Sequence, residues 1–214
     1  MSSLTRVKIC GTTNVDDARA AVDLGAWAIG MIFYRDTPRS CDLEEAAAIA
    51  AALKRKVELV GVFVNAPLDE VLGVIESVPL TIVQFHGDEG PSYCHEARRR
   101  TGLKVMKAAR VRDGATARAL SAYRTDFHLM DSHVQGTWGG TGTRFDWQLA
   151  AEHPHRPPLV LSGGLDSGNV GEAIEVARPF AVDVASGVEA DEGRKDLEKL
   201  ERFFQSVERA ATPV

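Results

Sequence analysis

Cys10 closes the apolar run "RVKIC" directly before Gly11, and Asp131 closes "DFHLMD". A buried cysteine is ordinarily a small hydrophobe, but a thiol at a strand end beside a glycine turn is placed to react. A thiol and a carboxyl group at two strand ends suit one acid and one base acting on opposite sides of a small substrate. The plainer alternative is that Cys10 fills space and Asp131 caps the loop that follows it. Lys8 points the same way as Cys10, one pleat below, at roughly 7 Å. It would either lower the thiol pKa or pair with a carboxylate such as Asp183; the two are compatible. Arg39 in "RDTPRS" is able to grip a carboxylate bidentately. His86 ends "TIVQFH" with Gln84 on the same face, as a hydrogen-bonded structural group or a catalyst. Two small-residue loops, "LSGGLDSGNV" (161–170) and "VASGVE" (184–189), would let backbone N–H groups approach an anion such as phosphate.

These residues sit on a regular alternation. Short β-branched runs at 6–10, 26–33, 58–64, 81–86, 103–108, 126–131, 158–163 and 180–185 are read as strands. Between them lie alanine- and leucine-rich helical stretches. "NVDDARAAVDLG" starts on an asparagine cap and stops at Gly25, and "DLEEAAAIAAALKRK" sets acids first and bases last. "DSGNVGEAIEVA" and "RKDLEKLERFFQSVERA" are read as two further helices. The glycine-rich segment 132–147 is long, leaves only a short sixth helix, and contains "GTWGGTG" (136–142), a loop able to close over a ligand. Parallel strands need crossover connections, and eight units of roughly 27 residues fit an α/β chain folded as a (β/α)8 barrel. The alternative is an open, doubly wound sheet. Parity favours the barrel. Val7, Ile9, Val83, Phe85, Val182 and Val184 fall on one aliphatic face, and Lys8, Cys10, Gln84, His86 and Asp183 on the other. The polar face would line the C-terminal mouth, where such barrels carry their active sites. Around an eight-strand ring, the Cα atoms of Cys10 and Asp131 would face each other across roughly 13 Å.

The chain has 214 residues, 44% hydrophobic and 26% charged, which suits one domain spanning residues 1–214. A net charge of -5 gives no electrostatic footprint for nucleic acid, so Arg98-Arg99-Arg100 is read as a solvated helix end. Three cysteines at unrelated spacings suggest neither a disulfide framework nor a metal site. With no signal-like start and no long apolar span, a cytoplasmic location away from membranes is expected. Trp138 and Phe203 would either form a dimer face or pack locally, so the chain is expected to be a monomer or a homodimer.

Taken together, "VKICGTTN", "GMIFYRDTPRS", "LVGVFVN", "IVQFHGDE", "LMDSHVQGTWGGTGTRFDW", "LVLSGGLDSGNV" and "VDVASGVEADEGRKD" resemble the phosphoribosylanthranilate isomerases of tryptophan biosynthesis. The resemblance covers nearly the whole chain. It implies a barrel that needs no cofactor or metal and takes a small phosphosugar substrate. Its reaction would be the Amadori rearrangement of N-(5-phosphoribosyl)anthranilate to 1-(o-carboxyphenylamino)-1-deoxyribulose 5-phosphate. By motif, Cys10 resembles the general base, Asp131 the general acid, and Arg39 the group that holds the anthranilate carboxylate. Gly163, Gly164, Ser186 and Gly187 fall in the phosphate loops, and Gln84 and His86 line the mouth. Phe85 stands where a leucine is usual and Ala185 where a serine is common; the second would remove a hydroxyl near the phosphate. Two rivals are an isomerase of another aminoaldose phosphate on the same barrel and a phosphosugar-binding barrel without turnover. Histidine-pathway relatives carry a carboxylate at the end of strand one, so Cys10 favours the anthranilate substrate.

Overall fold

A computed structural model describes residues 5–131, 147–154 and 156–211. Eight parallel strands close into a barrel in chain order: β1 (Arg6–Ile9), β2 (Ala28–Ile32), β3 (Glu58–Phe63), β4 (Ile82–Phe85), β5 (Lys104–Arg110), β6 (Phe127–Asp131), β7 (Leu159–Ser162) and β8 (Ala181–Val184). β8 returns to β1 with Lys8 opposite Asp183, which closes the ring and excludes the open sheet. The helices are α1 (Val15–Asp23), α2 (Leu43–Leu53), α3 (Leu68–Ser77), α4 (Pro91–Thr101), α5 (Gly114–Ala119), the short α6 (Trp147–Ala151), α7 (Val170–Ala177) and α8 (Leu197–Ala211). No helix among the described residues is long and apolar enough to cross a membrane.

Local chemistry sets the helix ends. The Asn14 side chain accepts from the Asp17 N–H at 2.8 Å and starts α1; Asp42 does the same for Glu45 and α2. Past α1, Gly25 has φ of +97°, a left-handed turn that glycine makes cheaply. Arg98, Arg99 and Arg100 occupy the last turn of α4, where cations suit the helix dipole, and each holds an acid: Asp126, Glu96 and Asp69.

Three expectations need correction. The basic residues Lys54, Arg55 and Lys56 lie beyond the end of α2: the backbone leaves the helix at Lys54, with ψ of 124°, and Arg55 follows in a left-handed turn with φ of +64°. Arg194 and Lys195 belong to a strand, not to the last helix: β9 (Glu189–Asp191) and β10 (Arg194–Lys195) form a small antiparallel hairpin before α8. Phe203 is wholly buried on the inner side of α8, so it offers no dimer face. Trp138 lies outside the described residues.

Alternation along the strands yields two apolar layers. Val7, Ile9, Val83, Phe85, Val182 and Val184 pack outward under the helices. Ala28, Val60, Val62, Ile82, Met106 and Leu129 fill the barrel, with Cys10 at their upper edge. Phe85 therefore faces Tyr93 of α4, away from the mouth. The N-terminal end is sealed by aromatics: Trp27 meets Phe127 and Phe180 edge-on at 5.5 and 5.2 Å, and the Arg6 guanidinium lies over Phe180 at 4.3 Å. Sealing one end leaves the opposite rim for chemistry.

Candidate active site

The rim is built from the strands' C-terminal ends. Cys10 follows β1 and its N–H donates to the Val184 carbonyl at 2.8 Å, which places it level with the end of β8. Asp131 ends β6, in register with Ser162 at the end of β7. The thiol and the carboxyl group thus lie on the same end of the barrel, on strands separated by two others in the shorter direction.

Beneath Cys10, the Lys8 ammonium is wholly buried and donates to Asp183 Oδ1 at 2.7 Å; Ser162 Oγ donates to Asp183 Oδ2 at 3.1 Å. Burial pulls the Lys8 pKa down, but Asp183 and Cys10 outweigh it and the net shift is upward, so the ammonium persists. Both readings of Lys8 therefore hold at once: it pairs with Asp183 and it acts on the thiol. Its effect is smaller than the sequence suggests. Burial raises the Cys10 thiol above its ordinary range and wins over the lowering by Lys8. Cys41 and Cys94 are pushed up by burial to about 12 and about 11 and lie on the helix side of the sheet.

Across the rim, three side chains form a chain. Gln84 Nε2 donates to His86 Nδ1 at 3.1 Å, and His86 Nε2 lies 3.2 Å from Asp131 Oδ2. With Nδ1 accepting, the ring proton sits on Nε2 and is donated to Asp131. That bond fixes the orientation of the Asp131 carboxyl group through Oδ2. His86 is hydrogen-bonded on both nitrogens, as a structural histidine would be, and one of them meets the Asp131 carboxyl group. Gln84 is fully buried inside the barrel rather than open at the mouth.

Arg39, in the loop between β2 and α2, lies against Gly11: a methyl group there would come 3.0 Å from Arg39 Cδ. Its guanidinium grips a carboxylate of its own chain. Nε donates to both oxygens of Glu189 at 3.0 Å, and Nη2 donates to Oε2 at 2.7 Å. Glu189 also accepts from Lys195 Nζ at 2.9 Å, and that ammonium donates to the Cys10 carbonyl at 2.7 Å. Nothing in the sequence pattern singles out Glu189 or Lys195. They meet Arg39 and Cys10 across 150 and 185 residues of chain, and no local periodicity encodes such a contact.

The loops after β7 and β8 meet. Gly163 and Gly164 have φ of +99° and +61°. A methyl group on Gly187, in the short 3-10 turn Ser186–Val188, would fall 2.0 Å from the Leu165 carbonyl oxygen. The loop of Gly163 and Gly164 and the turn of Ser186 and Gly187 therefore touch where Gly187 meets Leu165, with α7 following the first of them. The 136–142 segment lies outside the described residues. Among the described residues, no group of three or more His, Cys, Asp or Glu is able to hold a metal ion.

Residues 7–206 match the family model described as N-(5'phosphoribosyl)anthranilate (PRA) isomerase. The chain is 44% identical over 208 residues to the N-(5'-phosphoribosyl)anthranilate isomerase of Citrifermentans bemidjiense, covering 97% of this chain and 99% of that protein. The crystal structure of phosphoribosyl anthranilate isomerase from Thermotoga maritima superposes with a TM-score of 0.87 at 41% identity, over 96% of this chain and 99% of that one. A phosphoribosyl anthranilate isomerase in complex with reduced 1-(o-carboxyphenylamino)-1-deoxyribulose 5-phosphate gives a TM-score of 0.83 at 40% identity, over the same 96% and 99%.

Proposed function

The chain belongs to the N-(5'-phosphoribosyl)anthranilate isomerase family, and from that premise we propose how its rim residues divide the reaction. The reaction itself is the isomerisation of N-(5'-phosphoribosyl)anthranilate in tryptophan biosynthesis. Asp131, in its protonated form, protonates the furanose ring oxygen. The C1'–O4' bond breaks, and the nitrogen lone pair forms a C1'=N iminium. That positive charge acidifies the C2' hydrogen. Cys10 as thiolate removes it, and the released electron pair forms the C1'=C2' bond of an enolamine while the nitrogen becomes neutral. Proton movement from the C2' hydroxyl to C1' gives the aminoketone. The groups must begin in opposite protonation states, so their surroundings must differ. The Lys8 ammonium opposes the burial that raises the Cys10 thiol, and the His86 N–H orients Asp131.

Around this pair, Arg39 holds the anthranilate carboxylate. Gly163, Gly164, Ser186 and Gly187 receive the phosphate through backbone N–H groups, and Gln84 and His86 keep Asp131 oriented. Every one of these residues comes from one chain, so a monomer or a homodimer is able to work. Three free, buried cysteines fit a reducing cytoplasm.

The observation that carries this reading is the placement of Cys10 and Asp131 on one rim, at the ends of β1 and β6. A fluorescence assay following consumption of freshly generated phosphoribosylanthranilate tests it. Cys10→Ala and Asp131→Asn are each expected to lower kcat by about 10²–10⁴-fold while changing KM far less. Near-full turnover in either variant removes that residue from the mechanism.

A further inference from the structure

The β9–β10 hairpin carries a buried network that no step above uses. Glu189 and Lys195 have side chains only 4% and 1% exposed, while Arg39 is 18% exposed. Lys195 Nζ spends its hydrogens on Glu189 Oε1 at 2.9 Å, the Cys10 carbonyl at 2.7 Å and the Ala185 carbonyl at 3.3 Å. It therefore ties the end of β1 to the end of β8 and to the acid that holds Arg39. The hairpin is fixed from several sides. The Lys195 N–H donates to Asp17 Oδ2 of α1 at 2.8 Å, Lys199 Nζ donates to the Glu189 carbonyl at 2.6 Å, and Thr13 Oγ1 donates to the Gly193 carbonyl at 2.6 Å. Gly193 makes the turn with φ of +80°, and a methyl group there would come 3.2 Å from the Pro38 carbonyl oxygen.

Two features suggest geometry rather than stability as the purpose. A buried ion pair gains little net stability over an apolar replacement, because desolvating the charges offsets their attraction. The network also holds two cations against one buried anion, and Arg39 is its most exposed member; Asp191 and Glu192, the further acids of the hairpin, are exposed, and Glu192 acts on Arg39 only through its charge. Glu189 occupies the side-on edge of the guanidinium, Nε with Nη2, so the end-on edge of Nη1 and Nη2 is left for an incoming carboxylate.

We propose that Glu189 and Lys195 are positioning residues that lock Arg39 at a fixed angle and height relative to Cys10, so that a ligand carboxylate on Arg39 sets its sugar carbon over the thiol. This rests on the reading of Arg39 as the carboxylate clamp, which the test separates from the role of the hairpin. Binding of reduced 1-(o-carboxyphenylamino)-1-deoxyribulose 5-phosphate is measured by calorimetry beside its counterpart lacking the ring carboxyl group. The proteins are wild type, Glu189→Gln, Glu189→Asp, Arg39→Ala and the Arg39→Ala/Glu189→Gln double variant. Glu189→Gln preserves shape, and Glu189→Asp preserves charge but withdraws it by one methylene. Both are expected to weaken the carboxylated ligand by on the order of tenfold and the other by less than about twofold. The double variant is expected to bind no worse than Arg39→Ala alone. If Arg39→Ala discriminates between the ligands but the Glu189 variants do not, the hairpin role is overturned and the clamp stands. If Arg39→Ala does not discriminate, the clamp fails and the hairpin role fails with it.

Discussion

A single methyl group separates Gly30 from alanine, yet the barrel has no room for it. A Cβ at Gly30 on β2 would lie 2.9 Å from Cys10 Sγ, 3.2 Å from Lys8 Nζ and 3.3 Å from Cys10 Cα. The glycine is thus the floor on which the thiol and the ammonium meet, and its lack of a side chain lets the sulfur sit beside its charge partner. Neither neighbour can yield cheaply. The sulfur hangs on one rotatable bond, and the ammonium is bound to Asp183. Gly30→Ala is expected to cost about 1–3 kcal/mol by overpacking. The displaced sulfur is expected to lower kcat by on the order of tenfold to hundredfold, since small misplacements of reacting groups are costly. Thermal melting and steady-state rates measure both. A variant that melts early but turns over normally would show that sulfur position is not limiting.

At the scale of elements, the strands were legible because each is a short β-branched run with turn signals on both sides, and parity correctly divided their side chains between helix and lumen. The candidate rim was legible wherever a polar residue ended such a run, as the positions of Cys10, His86 and Asp131 show. The β9–β10 hairpin was not. "RKDLEKLERFF" has the composition of a helix throughout, and only the tertiary pull of Asp17, Cys10 and Glu189 on Lys195 draws its first residues into a strand. The net effect of burial on Cys10 was also hidden, because periodicity shows direction but not depth. The meeting of the β7 and β8 loops lies between these cases: small residues announce closeness without saying to what. Two glycines there separate cause from composition. Gly187→Ala would drive a methyl group into the Leu165 carbonyl and force the loops apart, whereas Gly164→Ala meets nothing within 4 Å and pays only for its φ of +61°. If these loops hold phosphate, Gly187→Ala is expected to weaken inhibition by inorganic phosphate by about tenfold or more. Gly164→Ala is expected to lose about 1 kcal/mol of stability with a much smaller loss of phosphate affinity. Equal inhibition constants for wild type and Gly187→Ala would move the phosphate elsewhere.

The whole molecule is polarised, with an aromatic seal at one end and ionisable groups at the other, and its response to acid depends on what holds the strands between them. β6 carries both Phe127 of the seal and Asp131 of the rim. Its outward side is pinned by a buried pair, His128 Nδ1 with His153 Nε2 at 3.0 Å, while His128 Nε2 faces the Tyr123 carbonyl at 3.0 Å. Nε2 must carry the proton to donate to that carbonyl, so Nδ1 accepts from His153. Protonating His128 would remove that acceptor and place a charge where burial already holds the pKa below its ordinary value. The unfolded chain has no such restraint and takes up a proton near pH 6.5. Above that pH both states are neutral at this residue and the full contribution to stability is present. Below it the unfolded state binds the extra proton, so stability falls as pH falls toward the lower folded-state pKa. His128→Gln keeps an N–H for Tyr123 and an oxygen for His153 but cannot titrate. Between pH 7.5 and 5 the thermal midpoint of the wild type is expected to drop by about 2–4 °C more than that of the variant, the range for a difference of roughly 1 kcal/mol in a chain of this size. Matching drops would show that acid enters the fold through other groups. A larger drop in wild type would identify the strand that bears Asp131 as the one acid loosens, from its helix-facing side three residues before that carboxyl group.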